Sequence, residues 1–252
     1  MKKLILPILL TSVVHVCFSQ DSIPRLSFEF GYSYHTYAMD TLNDKLIEPA
    51  MNTSVKFLDK KLESGYGFNF KIGYQISASF QFGFYGDFQR GSSEYNPMFP
   101  MGSQPPVEGF YSIRTENLNA GIHLTYWVSS LLSKNSKVSS KRLKYGFATN
   151  LGIGRGSYEI FIFAPIDQFS ESYHRIFSAN AFHGQFELKS EYQITKRSLF
   201  SSIGFKVGYQ YFKTNYLRTR AEEYNLVASY PDSKLQLDFS GMYYGLYLKL
   251  GR

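Results

Sequence analysis

The chain has 252 residues, a formal net charge of +7, 44% hydrophobic residues and one cysteine. Its aromatic load is 23 Phe and 21 Tyr against a single Trp. Beyond the extreme N-terminus no run reaches about 18 apolar residues, which excludes a later membrane-spanning helix, and the surplus Lys and Arg lack any nucleic-acid recognition motif around them, which excludes that partner. Mean hydropathy is slightly below zero, too polar for a helical membrane protein, yet a barrel hides its hydrophobicity in alternation. The length suits one domain of about eight to ten strands.

Residues 1–20 read as a secretory signal peptide: Lys2 and Lys3 start it, residues 4–16 are apolar, and Cys17-Phe18-Ser19 makes a small-x-small site with cleavage near Ser19-Gln20. Lipoprotein processing takes Gly, Ala or Ser before the cysteine, and here Val16 precedes Cys17. Cleavage leaves residues 21–252 as a thiol-free domain, so its stability owes nothing to disulfides.

The first strand spans residues 25–35, with Leu26, Phe28, Phe30, Tyr32 and Tyr34 on one face and Ser27, Glu29, Gly31, Ser33 and His35 on the other. Alternation stops over residues 36–64, assigned as a surface loop with a short amphipathic helical turn at 41–47. Residues 65–90 form a hairpin around Ser77-Ala78-Ser79: Tyr66, Phe68, Phe70, Ile72, Tyr74 and then Phe80, Phe82, Phe84 and Phe88 share an oily face, while Asn69, Lys71, Gln81 and Asp87 lie opposite. A soluble core would favour close-packed Val, Leu and Ile over so many Phe, Tyr and Gly. A face turned to lipid needs no partner sheet.

Residues 91–109 carry Pro97, Pro100, Pro105 and Pro106 and read as a second loop with no central strand. The fourth strand spans 111–128, with Asn117, Asn119, His123, Thr125 and Trp127 inward, and the turn at 129–142 is basic, with Lys134, Lys137, Lys141 and Arg142. The fifth alternates from Leu143 to Gly154 with Lys144 inward. Residues 155–178 are assigned as a third loop, whose apolar run at 160–163 either extends the strand above the bilayer or starts an extra hairpin, hence eight strands with ten possible. The sixth and seventh strands span 179–194 and 199–212 around a turn at 195–198; a fourth loop covers 213–234, and the last strand begins at Leu235 and slips register near Ser240-Gly241. The final strand must close on the first, because an open edge cannot survive in lipid.

This pattern of leader, paired strands, short lower turns, long upper loops and the amphipathic ending LYLKLGR resembles the small outer-membrane barrels of Gram-negative bacteria, the OmpA/OmpX-like group. The resemblance implies an all-β, closed antiparallel up-and-down transmembrane barrel in the outer membrane, with the barrel-assembly machinery and outer-membrane lipid as partners. It does not imply a shared function.

Side chains that carry chemistry fall mostly inside. The inward charges are Glu29, Asp87, Glu187 and Glu191 against Lys71, Lys144, Lys189, Lys206 and Lys249, and mixed signs in a narrow lumen read as a plug. If Ile194 faces Leu199 across its turn, Glu187 lies opposite Lys206; if Ile76 faces Phe80, Lys71 lies opposite Tyr85 and diagonal to Asp87. Glu29 and Lys249 share the closing seam. Ser33, His35 and His183 sit at the upper rim, but Ser33 and His35 are about 7 Å apart along one face and no lipase or deacylase motif surrounds them, so they read as solvated rim residues. His35, His123 and His183 lack metal-ligand spacing, and no cofactor motif is present. The expected role is therefore non-enzymatic: structural, or recognition of an extracellular ligand by the long loops. A narrow diffusion channel is the alternative and a lipid-modifying enzyme the third.

Overall fold

The computed structural model describes residues 26–51, 60–77, 79–101, 104–128, 142–166, 169–194, 200–215, 217–219 and 235–250. The signal segment at 1–20, most of the basic turn, the turn at 195–199 and residues 220–234 lie outside the described residues. The strands are β1 (Leu26–Thr36), β2 (Ser64–Gln75), β3 (Phe80–Tyr95), β4 (Met98–Met101), β5 (Gln104–Glu108), β6 (Phe110–Trp127), β7 (Leu143–Ile166), β8 (Phe169–Gln193), β9 (Phe200–Phe212), β10 (Arg218–Thr219) and β11 (Gly241–Leu250). Eight of them, β1, β2, β3, β6, β7, β8, β9 and β11, pair antiparallel in a ring that closes between β1 and β11, with Glu29 opposite Lys249. The extra hairpin is not in the barrel: the run at 160–163 extends β7.

Closure requires stagger. Followed partner by partner from Leu26, the register passes Tyr74, Phe82, Leu124, Thr149, Phe186, Tyr209 and Met242, and arrives beside Thr36 instead of Leu26. Such a shear tilts the strands by roughly 40°. Every second residue faces out along 26–34, 66–74, 80–88, 118–126, 143–153, 182–192, 201–211 and 242–250, and none of these carries a charge. Phe84, Leu118 and Phe68 are more than 60% exposed, as suits lipid-facing positions, and tyrosines gather at both ends of the band.

Four strands outrun the membrane. At about 3.3 Å per residue and that tilt, the 24 residues of β7 rise roughly 60 Å, more than twice the ~25 Å apolar band. Two loop assignments therefore need correction. Residues 155–166 and 169–178 are strand, paired without interruption from Leu143–Tyr192 to Ile166–Phe169. Residues 91–95 continue β3 against β6; Pro97 follows them ahead of β4, and Pro100, Pro105 and Pro106 fall in the separate β4–β5 pair, where a missing N–H costs no barrel bond.

The alternation persists in these extensions but its chemistry changes. Tyr111, Ile113, Tyr158 and Ile160 point inward where residues lower in the same strands are Asn117, Asn119, Asn150 and Lys144. Into the space they line folds the helical segment Asp40–Leu42, Asn43–Ile47 (π-type) and Glu48–Met51, whose Leu42, Leu46 and Ile47 are buried while Asp44 and Lys45 are exposed. Asn43 anchors it to Leu62 through two hydrogen bonds of 3.1 and 2.9 Å. Leu237 and Phe239 complete the cluster, so residues 235–240 are not the start of the last strand; they turn into this core, and β11 begins at Gly241.

Candidate functional site: a polar lumen beneath an aromatic and apolar lid

All nine charges named above lie in the lumen, at different heights. Near the lower end Trp127 is buried with the ammonium groups of Lys249, Lys189 and Lys144 at 5.3, 5.9 and 6.0 Å from its ring. Glu191 accepts from Ser202 Oγ at 2.9 Å and from Lys249 Nζ at 3.3 Å. In the middle Lys189 Nζ donates to Glu29 Oε2 at 2.5 Å, and Lys71 Nζ donates to Glu187 Oε2 at 2.6 Å while lying 3.9 Å from Glu29. Glu187 is the hub, accepting also from Tyr243 OH at 2.9 Å and Asn150 Nδ2 at 3.1 Å, with Lys206 at 3.9 Å. Gly204 and Gly208 let the Tyr247 and Tyr243 rings lie against the wall beside these ions, since an added Cβ would meet both rings.

Two inferred pairings are corrected. The β8–β9 ladder resumes with Ile194 N donating to Ser201 O, two residues beyond Leu199, so Glu187 faces Gly208 and Lys206 faces Lys189. Like charges directly opposed are tolerable here because Lys189 swings to Glu29 and Lys206 meets Glu187 on the diagonal. Lys71 does face Tyr85, but it reaches across the lumen to Glu187. Asp87 instead sits among amides: Gln89 Nε2 donates to it at 2.6 Å and Asn119 Nδ2 at 3.2 Å, and Gln89 exchanges hydrogen bonds with Gln210.

Above this layer, aromatic rings cross the barrel. Tyr85 and His183 share a 2.6 Å hydrogen bond to Nδ1; His183 packs on Phe212, Phe212 on Phe239, Phe239 on Tyr37, and Tyr37 on His35, which stacks on Tyr243 at 5.0 Å. The apolar cluster lies on top. Sequence reading missed this lid, although the inward Tyr158-x-Ile160 and the buried Leu42, Leu46 and Ile47 were its signal. Tyr37 belongs to the lid, where burial pushes its phenol pKa up.

Ser33 and His35 are not solvated rim residues. Both are buried, and Ser33 Oγ lies 2.8 Å from His35 Nε2 because their side chains lean together along β1. The other ring nitrogen, Nδ1, has no hydrogen-bond partner among the described residues, so no acid orients the ring as a Ser-His-acid triad requires. Among the described residues no three His, Cys, Asp or Glu side chains converge as a metal site. Several lumen groups, including both His123 ring nitrogens and the Asn69 and Asn117 amides, are buried with no hydrogen-bond partner among the described residues.

The fold defines a membrane-spanning barrel whose interior is lined by ion pairs, amides and aromatic rings. Neither protein-family models nor curated protein sequences match the chain. Among solved structures, it is similar to the attachment invasion locus protein Ail of Yersinia pestis in complex with the heparin analogue sucrose octasulfate, at 12% identity, over 91% of this chain and 100% of that one, with a TM-score of 0.39. It is also similar to Neisserial surface protein A at 10% identity, 90% and 97% coverage and a TM-score of 0.37. A third likeness is to the outer-membrane protease OmpT of Escherichia coli, at 8% identity, 91% and 96% coverage and a TM-score of 0.43.

Proposed function

We propose that the chain is a non-enzymatic outer-membrane β-barrel that acts at the cell surface, its membrane part a rigid stalk and its projecting end a recognition platform for an extracellular ligand. The observation that carries this is the continuation of β3, β6, β7 and β8 above the lipid band around an apolar core that covers the lumen. A conduit has no use for such a cover, and long ordered projections offer surface beyond the membrane. The partners in this reading are outer-membrane lipid, the barrel-assembly machinery during insertion, and a ligand at the upper end.

Two measurements test it. In planar bilayers the wild-type barrel is expected to give no steady single-channel conductance; steady openings would replace this reading by a narrow diffusion channel for small polar solutes. On intact cells a membrane-impermeant amine reagent is expected to label the exposed Lys45 on the helical segment. Protection of Lys45 until the cells are lysed would place that end away from the surface and overturn the reading. Phospholipid and glycolipid substrates incubated with the folded barrel are expected to remain intact, and turnover would make it a lipid-modifying enzyme.

A further inference from the structure

Cations along the upper edge of the lipid band mostly meet a carboxylate. Arg90 lies 3.9 Å from Glu116, Arg114 lies 3.7 Å from Glu94 and 3.6 Å from Glu159, and Lys213 lies 3.6 Å from Asp238. Arg155 does not. Exposed on the outer face of β7, its hydrogen-bond partner among the described residues is the neutral Ser178 hydroxyl, which accepts from Nη2 at 2.6 Å. The rest of its donor fork has no partner among the described residues.

Its surroundings give that guanidinium a direction. Arg155 stands opposite Leu118 on β6 and Asn180 on β8. Ile153 and Phe182, paired with each other, form the next outward row toward the membrane. These three apolar side chains are 62%, 75% and 55% exposed for Leu118, Ile153 and Phe182. Lipid covers such a platform. Acyl chains packed on Ile153 and Phe182 carry their headgroup to the height of Arg155, where the planar fork fits two oxygens of a phosphate and the exposed Asn180 amide adds a donor.

We infer that Arg155, with Ser178 and Asn180, is a headgroup site for a lipid bearing a phosphate monoester in the upper leaflet. Charge complementarity selects this occupant: a choline headgroup brings a cation beside the guanidinium, and free phosphate gains nothing from the apolar platform. The inference rests on the reading of the chain as an outer-membrane barrel with its long-loop end outward.

The full chain refolded in maltoside micelles is titrated with dihexanoyl phosphatidic acid, dihexanoyl phosphatidylcholine and inorganic phosphate, following the Arg155 Nε–H resonance by NMR. Phosphatidic acid is expected to shift it saturably, with phosphatidylcholine about tenfold weaker and inorganic phosphate silent at the same concentrations. Native mass spectrometry of Arg155→Gln is expected to lose retention of phosphatidic acid, Arg155→Lys to keep part of it, and Arg90→Gln to behave as wild type. Retention by Arg155→Gln equal to wild type, or inorganic phosphate acting as well as the lipid, overturns the site. A chain that forms no heat-modifiable barrel in the micelles overturns the underlying reading as well, whereas a folded barrel indifferent to phosphatidic acid overturns this inference alone.

Discussion

At the scale of single residues, the solvent on each side of the wall sets the cost of a charge. Phe147 and Ser157 face out from the same strand, one in the apolar band and one above it, the latter opposite Glu116. Phe147→Arg is expected to destabilise by about 2 to 4 kcal/mol in reversible unfolding from lipid vesicles, because the guanidinium must leave water near the midplane, while Ser157→Arg stays within about 1 kcal/mol. Comparable losses at both positions would mean that the band has been drawn at the wrong height. Inside the wall the currency is pairing. Lys71 is hydrogen-bonded to Glu187, whereas Lys206 only approaches it at 3.9 Å. Lys71→Met strands a buried carboxylate and is expected to cost about 3 to 5 kcal/mol, more than Lys206→Met, and Lys71→Met/Glu187→Gln to recover part of the loss. A double-mutant cycle with no coupling between Lys71 and Glu187 would remove the ion pair from the account of the plug.

At the scale of elements, the strands were legible wherever one face meets lipid, because a period of two with no outward charge has no other reading. Lys71 opposite Tyr85 followed from simple counting across a tight turn, and Glu29 and Lys249, expected to share the closing seam, pair directly there. Counting failed at the β8–β9 turn, where two residues more than expected lie between the paired arms and no composition signal fixes the number. Reading also failed above the membrane, for a different reason. There the inward positions of β6 and β7 turn apolar while Arg114, Glu116 and Glu159 take the outward ones, so the contrast between faces that marks a barrel strand inverts while the strand continues. The lumen charges pair across the barrel and not along one hairpin, as Lys71–Glu187 and Lys189–Glu29 show, and strand parity alone does not reveal such partners. Closure itself can be tested at the seam. In a Cys17→Ser background, Phe30→Cys/Leu248→Cys introduces the chain's two thiols at directly paired positions of β1 and β11. Oxidation is expected to give a loop-closed species with altered gel migration, and failure to cross-link in the folded barrel would contradict this register.

At the scale of the whole molecule, the interior is divided into an ionic lower part and an apolar upper part, each stabilised by a different force. Leu42 and Ile47 are fully buried in the upper part and far from lipid. Leu42→Asp/Ile47→Asp is expected to expose the helical segment to protease while the barrel keeps its strand signal and heat-modifiable migration, since the membrane band and ion pairs are untouched. Simultaneous loss of both would show that the two parts unfold as one. The upper core draws Met39 from the first quarter of the chain, Ile113 and Ile160 from the middle, and Leu237 and Phe239 from the end. No hairpin can build it alone, and contacts this distant in sequence form slowly. It therefore sets last, after the ends of the chain have met, and in unfolding it is a late-formed clasp whose loss would show in the rate of opening more than in the rate of insertion.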